Sequence, residues 1–212
     1  MSRTERNILA DELEAKGISD QKVLNALRNV ERELFVPETM RNNAYRDIAL
    51  PIGYGQTISQ PYTVAVMTQE LKVNKGDKIL EIGTGSGYQA AILFKMGAIV
   101  YSIERNFELF RNVQRIFDSL GIRVSTKCGD GTIGWNEFAP FNGIIVTAGS
   151  PDIPESLKNQ LAINGKLVIP VGDKRTQTLK VITRVSEDKF KIDSIPEFAF
   201  VPLIGREAWG KE

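Results

Sequence analysis

Apolar positions recur at helical spacing from Arg3 to a stop at Gly17. They recur again after Ser19 or Asp20, either of which can cap a second helix that sets Val23, Leu24, Leu27 and Val30 on one face. From Glu33 to Gln60 the period is lost, with Pro37, Pro51, Gly53 and Gly55 as breakers. An irregular connection longer than about 15 residues in a compact domain is usually functional or disordered. Phe35, Tyr45, Ile48, Leu50, Ile52 and Tyr54 argue for packing on a core and against disorder. Helical spacing returns at Pro61, which suits a first turn, with Ser59 or Gln60 at the cap and Val64, Met67 and Leu71 on the buried side.

A short apolar run, Ile79, Leu80 and Ile82, then enters glycines at 83, 85 and 87, after which Ser86 can cap a helix carrying Ala90, Ala91, Ile92 and Leu93. Beyond Gly97, Ile99 to Glu104 reads as a second strand that ends on an acid. The next helix is amphipathic: Leu109, Phe110, Val113, Ile116, Phe117 and Leu120 form a core stripe that Gly121 closes. Ile122 to Lys127 is a third, less apolar strand leading into Cys128-Gly129-Asp130-Gly131, and Gly143 to Ala148 is a fourth. Pro151 and Pro154 introduce a short helix through Leu157 and Leu161, and Asn164-Gly165 turns into a fifth strand, Lys166 to Val171. Leu179, Val181, Thr183 and Val185 alternate with Lys180, Ile182 and Arg184, as in a strand more exposed on one face. Phe190 to Leu203 is a last extended segment that Pro196 and Pro202 confine to an edge or a bulge.

Strands alternating with helices predict an α/β fold around a doubly wound, largely parallel sheet, in which ligands bind outside the carboxyl ends of the strands. Gly83 to Gly87, Glu104 and Asp130 would then converge on one crevice. Each has a blander reading: a tight turn, a surface acid, and an Asp-Gly turn. The dinucleotide fingerprint needs a third glycine at position 88, where Tyr88 stands. Glu81 places a carboxylate just before the turn, which would repel a pyrophosphate and suits the cationic aminoacyl end of S-adenosylmethionine.

Composition narrows the chemistry. The chain has 212 residues and no histidine, which removes the commonest general base and metal ligand, and with them serine-hydrolase triads and ordinary zinc enzymes. The expected metal content is none. With 27 Lys plus Arg against 26 Asp plus Glu the net charge is +1, so no global field draws the chain to nucleic acid or an anionic membrane. No apolar run reaches the ~18 residues of a membrane span, and Met1 to Lys16 lacks the apolar core of a signal peptide. A cytoplasmic protein is expected. The single cysteine, Cys128, fits a reducing compartment and reads as a small apolar filler at a strand end.

Three blocks resemble the protein-L-isoaspartate (D-aspartate) O-methyltransferase family. They are Phe35-Val36-Pro37 with Ala44-Tyr45 and the run Leu50 to Pro61; Leu80 to Gln89; and Gly129-Asp130-Gly131 with Ala139-Pro140-Phe141 and Ile144 to Ala148. Leu167 to Gly172 and Phe200-Val201-Pro202-Leu203 are also similar, so the likeness covers nearly the whole chain. The resemblance implies a class I, Rossmann-like methyltransferase sheet with N-terminal helices and a C-terminal strand extension. One domain over 1–212 is expected, with helices and substrate loop in 1–75, the cofactor core in 76–172 and C-terminal strands in 173–212.

The resemblance further implies methylation of the free α-carboxyl of L-isoaspartyl residues, and of some D-aspartyl β-carboxyls, in damaged proteins and peptides. S-adenosylmethionine is the implied donor and S-adenosylhomocysteine the product. Ser59 matches the active-site serine; Gln56, Thr57 and Ile58 match the cleft loop. Glu81, Gly83, Gly85 and Gly87 match the cofactor turn, Glu104 the ribose ligand, and Asp130 with Gly131 the adenine end. Val201, Pro202 and Leu203 match the segment that receives substrate backbone. A monomer that binds neither nucleic acid nor membrane is expected.

The chemistry accepts these residues. A carboxylate with a reference pKa near ~4 is already an ionised nucleophile at neutral pH, so no imidazole is required. Ser59 could hydrogen-bond the acceptor, cap the Pro61 helix, or both. A methyltransferase for another small molecule or for nucleic acid is one rival, although Ala148-Gly149-Ser150-Pro151 lacks the Pro-Pro-aromatic base grip. A non-catalytic S-adenosylmethionine-binding module is another.

Overall fold

The structure, a computed structural model, describes residues 3–210. Met1, Ser2, Lys211 and Glu212, the ends of the first and last expected segments, lie outside the described residues. Helices α1 (Arg3–Ala15) and α2 (Gln21–Asn29) pack together through Leu9, Leu13, Val23, Leu24 and Leu27. Asp20 caps α2 by accepting from Lys22 N at 2.9 Å, while the backbone N–H of Ser19 is taken up by Gln69 Oε1 at 2.7 Å.

The Glu33–Gln60 stretch contains more order than its irregular pattern predicts. After two 3-10 turns it forms an antiparallel hairpin of β1 (Leu50–Gly53) and β2 (Gln56–Ile58), with Leu50 opposite Ile58. The connecting Tyr54 and Gly55 both have positive φ, at 55° and 69°. Two strands this short, one holding Pro51, and a tyrosine where a hairpin turn usually has Asn or Gly conceal the hairpin from a pattern reading. Helix α3 (Pro61–Leu71) follows with Gln60 at its cap position. Ser59 is not the cap, and Gln60 supplies no side-chain cap bond; Asp47 reaches over to accept from Tyr62 N at 2.8 Å.

The main sheet has seven strands in the order β5-β4-β3-β6-β7-β8-β9. β3 (Lys78–Ile82), β4 (Ile99–Glu104), β5 (Val124–Cys128), β6 (Phe141–Val146) and β7 (Leu161–Gly172) are parallel; β8 (Gln177–Arg184) and β9 (Phe190–Phe198) extend the sheet antiparallel. The connecting helices are α4 (Tyr88–Lys95), α5 (Phe107–Leu120) and the short α6 (Glu155–Asn159). Alternate side chains of β3 serve opposite faces: Ile79 joins the layer of α1 to α5, and Leu80 and Ile82 join the layer with Phe141, Leu157 and Leu203. Complete burial of residues such as Leu80, Ile144 and Leu167 contributes about 1.5–3 kcal/mol each. No helix among the described residues is long and apolar enough to cross a membrane.

Four expectations need correction. Leu161 begins β7 and is not helical, and Asn164-Gly165 is a bulge inside that strand, since Phe141 pairs with Leu161 but Gly143 pairs with Lys166. Asn164 takes the left-handed conformation there (φ 65°), which gives a bulge the same local sequence signature as a turn. Gly87, not Ser86, occupies the cap position of α4, although Ser86 Oγ still accepts from Tyr88 N at 3.3 Å. Cys128 is exposed, because β5 is an edge strand, so it fills nothing.

Candidate active site

Strand order reverses between β3 and β6, and a cavity of about 530 Å³ opens at the carboxyl ends of the strands on that side. The turn after β3 forms its floor. Gly83 has φ 92°, and a β-carbon there would lie 2.6 Å from Thr147 Oγ1, so the position admits only glycine. That hydroxyl donates to Gly83 O at 2.6 Å and to Ile82 O at 3.0 Å, tying the end of β6 to the turn. Glu104 secures the other side: its Oε2 accepts from Gly85 N at 2.8 Å and its Oε1 from Asn106 N at 2.7 Å. Each carboxylate oxygen keeps a further lone pair for a ligand.

The predicted site residues divide clearly. Gln56, Thr57, Ile58 and Ser59 from β2 and the residue after it, Glu81, Gly83, Gly85, Glu104 and Gly131 around the turn, and Val201, Pro202 and Leu203 near the C-terminus all line this cavity. Gly87 and Asp130 do not. Gly87 is a packing glycine, since a β-carbon would fall 2.4 Å from Val113 Cγ2 and 2.8 Å from Phe117. Asp130 is a clamp: Oδ1 accepts from Thr132 N at 2.9 Å and from Thr132 Oγ1 at 2.7 Å, and Oδ2 accepts from Arg206 N at 2.9 Å. These bonds hold its carboxyl below the ordinary range against the opposing effect of burial, and they pin the C-terminal segment under Gly131.

Glu81 differs from the ionised, ligand-facing carboxylate that the sequence suggests. It shares a β3 face with Ile79, is fully buried, and accepts a hydrogen bond from Ser102 Oγ, which in turn shares one of 2.6 Å with Thr84 Oγ1. Its Oε1 has no partner. Burial, with Glu104 nearby, pushes its pKa from 4.5 up to about 8. The folded protein therefore keeps a proton that the unfolded chain releases above pH 4.5, and this contribution to stability is complete below 4.5 and fades as the pH rises through about 8. We expect Glu81→Gln to remove that decline: urea midpoints of wild type should fall between pH 5 and 8 relative to those of the variant. Parallel profiles would show that Glu81 is ionised throughout.

Sequence reasoning missed Arg32. Its guanidinium is fully buried without a carboxylate partner, and donates to Ala44 O at 2.8 Å, Ser59 O at 3.0 Å and Ile48 O at 3.2 Å. It also lies 5.1 Å from the centre of the Tyr88 ring, so one side chain joins the loop bearing Ser59 to the first residue of α4. Burial lowers its pKa to about 10, leaving it charged at neutral pH. No sequence signal distinguishes this arginine from its exposed neighbours. Phe107, an exposed aromatic on the cavity wall, and Thr147 were also missed; the first looks like one more member of the α5 pattern and the second like a strand end.

The Ser59 Oγ makes no hydrogen bond to any described residue, although its backbone carbonyl is held by Arg32. A free hydroxyl on a fixed backbone, facing a glycine turn and an anchored carboxylate, suits the placing of a small polar acceptor beside a nucleoside-like ligand.

Comparison with known proteins agrees with this geometry. The family model described as protein-L-isoaspartate(D-aspartate) O-methyltransferase matches residues 4–208. A protein-L-isoaspartate O-methyltransferase of Chlorobaculum tepidum is 53% identical over 207 residues, which is 97% of this chain and 96% of that one. A solved protein-L-isoaspartate O-methyltransferase superposes with a TM-score of 0.88 at 29% identity, covering 96% of this chain and 67% of its own. A structure from Plasmodium falciparum, described as a putative enzyme of the same name in complex with S-adenosyl-L-homocysteine, gives 0.83 at 27% identity and covers 95% and 99%.

Proposed function

Because this chain belongs to the protein-L-isoaspartate (D-aspartate) O-methyltransferase family, we propose that the cavity holds S-adenosylmethionine between the glycine turn and Glu104, with the isoaspartyl carboxylate presented to it beside Ser59. The chain is an S-adenosylmethionine-dependent O-methyltransferase acting on isoaspartyl residues. The observation that carries the site assignment is that Ser59 and the glycine turn line one continuous cavity although they are far apart in sequence.

The residues present fit the donor. Glu104, anchored by two backbone N–H groups, has lone pairs to accept from ribose hydroxyls. Gly83 and Gly85 would let backbone approach the aminoacyl end, and Phe107 would offer an apolar face to the base beside Gly131. The Glu81 side chain is fully buried beneath the turn and its pKa is raised to about 8, so the negative charge on this wall comes from Glu104 and Glu108.

When bound, the donor supplies an electrophilic methyl group on a sulfonium. The chain supplies position. The acceptor carboxylate is ionised at neutral pH and needs no base, in keeping with a sequence that contains no histidine. Ser59 donates a hydrogen bond that orients the carboxylate oxygen, while Arg32 fixes the Ser59 backbone from behind. Good alignment of this kind contributes on the order of 7–11 kcal/mol. Val201, Pro202 and Leu203 close the cavity on the side from which peptide backbone would approach.

The resulting ester can collapse to a succinimide whose hydrolysis returns some normal aspartate, so we assign the reaction to protein repair in the cytoplasm, by a single subunit that does not use nucleic acid. The net charge of +1 supports the last point. The bond type tests the site assignment: label transferred from the donor should be released as methanol by mild alkali, as a carboxyl ester requires. Alkali-stable label would place the methyl somewhere other than a carboxyl oxygen and reject it.

A further inference from the structure

A second cavity, of about 450 Å³, adjoins the first, and Thr57, Ser59, Thr147 and Val201 line both. Ser59 therefore stands where the two chambers meet. The second chamber opens where β7 ends and β8 begins, on the same side of the sheet as the carboxyl ends that hold the glycine turn. Its wall is partly aromatic, with Tyr62, Phe198 and Phe200, and it carries two side chains of opposite charge, Arg175 and Glu197.

Neither charge is used within the fold. The guanidinium of Arg175 makes no hydrogen bond or ion pair with any described residue and influences Asp173 only from beyond bonding distance; the Glu197 carboxylate likewise has no partner. The backbone at each is nonetheless well fixed. Asp173 Oδ1 accepts from Arg175 N at 2.7 Å and from Thr176 N at 2.9 Å, and Glu197, with φ 69°, is the penultimate residue of β9, at the register shift beside the Gln177–Phe198 pair. Left-handed backbone at a glutamate is unusual and carries a strain that the surrounding pairing has to offset.

We propose that this second chamber receives the stretch of substrate peptide flanking the isoaspartyl residue, and that Arg175 and Glu197 read the charge of that stretch. An acidic side chain is favoured on the flank beside Arg175 and a basic one on the flank beside Glu197. This rests on the acceptor site assigned above and adds selection among acceptors, which nothing in the glycine turn or the Ser59 loop can provide. Because both side chains are exposed, each contact is screened and modest, worth about two- to five-fold in kcat/KM. The effect should fall on KM, because neither group touches the reacting atoms.

The test uses the full chain with isoaspartyl peptides of one length, each carrying Glu, Gln or Lys on one flank and Gln on the other. Wild type should show a charge preference of opposite sign on the two flanks, diminishing at high salt. Arg175→Glu should invert the preference on one flank and Glu197→Lys on the other, while Arg123→Glu, at the opposite edge of the sheet, should leave the pattern as it is. Equal kcat/KM for all peptides, or a preference that survives both reversals, would overturn the inference while leaving the reaction intact. Failure of wild type to methylate any of the peptides would instead overturn the methyltransferase reading, and this inference with it.

Discussion

Ser59→Ala should fold like the wild type and lose on the order of 100-fold in kcat, the cost of misplacing the acceptor by about 1 Å. The two halves of this expectation come from separate observations. Ser59 does not cap α3, whose first turn is served by Asp47, and its hydroxyl has no bond to any described residue, so little stability depends on it. An N-cap serine would have cost about 1 kcal/mol on removal. Ser59 lines both chambers, where the proposed function brings acceptor and donor together. Turnover, KM for an isoaspartyl peptide and the thermal midpoint of the purified variant check it. Unchanged turnover in the folded variant would remove Ser59 from the mechanism.

Glu104→Ala should act on the donor and not on the acceptor. The carboxylate is buried and accepts from Gly85 N and Asn106 N, so its removal leaves two backbone donors without a partner and frees the glycine turn. Hydrogen bonds to a charged group contribute about 1.5–3 kcal/mol each, so a stability loss of this order accompanies the loss of the ribose contact. Affinity for S-adenosylhomocysteine, measured calorimetrically, should fall by at least tenfold, a change of ~1.4 kcal/mol. KM for the peptide should move far less. Glu104→Gln distinguishes support from binding, because an amide oxygen can still accept from one N–H but a neutral side chain grips hydroxyls more weakly. Wild-type affinity in Glu104→Gln would leave Glu104 a purely structural role.

Much of this fold is legible in sequence where the signal is local. The run Ile99–Glu104 and the stripe of α5 are long enough for their periodicity to be read, and the structure places both where that periodicity puts them. The Leu50–Ile58 hairpin and the Asn164 bulge are not legible: the first has strands too short to show a period and a tyrosine in its turn, and the second takes a conformation shared with ordinary turns. The site shows the same division. Gly83, Gly85 and Glu104 can be picked out by residue type and spacing and the Ser59 loop only by family resemblance, whereas the separation of Gly87 and Asp130 from the wall is decided by what lies behind them: Val113 and Phe117 for one, Thr132 and Arg206 for the other. Arg32 illustrates the limit most clearly. It works through three carbonyls gathered from residues 44, 48 and 59, a set that exists only after folding.

Glu81 shows how one residue can be noticed for one reason and matter for another. Its position before the turn suggests a carboxylate facing a cationic ligand, yet in the fold its side chain is enclosed, bonded to Ser102 and largely protonated near neutrality. The Ser102 and Thr84 bonds tie β3, β4 and the glycine turn together from beneath. A buried carboxyl is thus well placed to hold the turn's shape.

The most direct measurement of the account is methyl transfer from labelled S-adenosylmethionine to two peptides identical except that one contains an L-isoaspartyl and the other a normal aspartyl residue. The account predicts stoichiometric, alkali-labile labelling of the isoaspartyl peptide and background labelling of its partner. Equal labelling of both, or none on the isoaspartyl peptide by a protein that binds the donor, would contradict it.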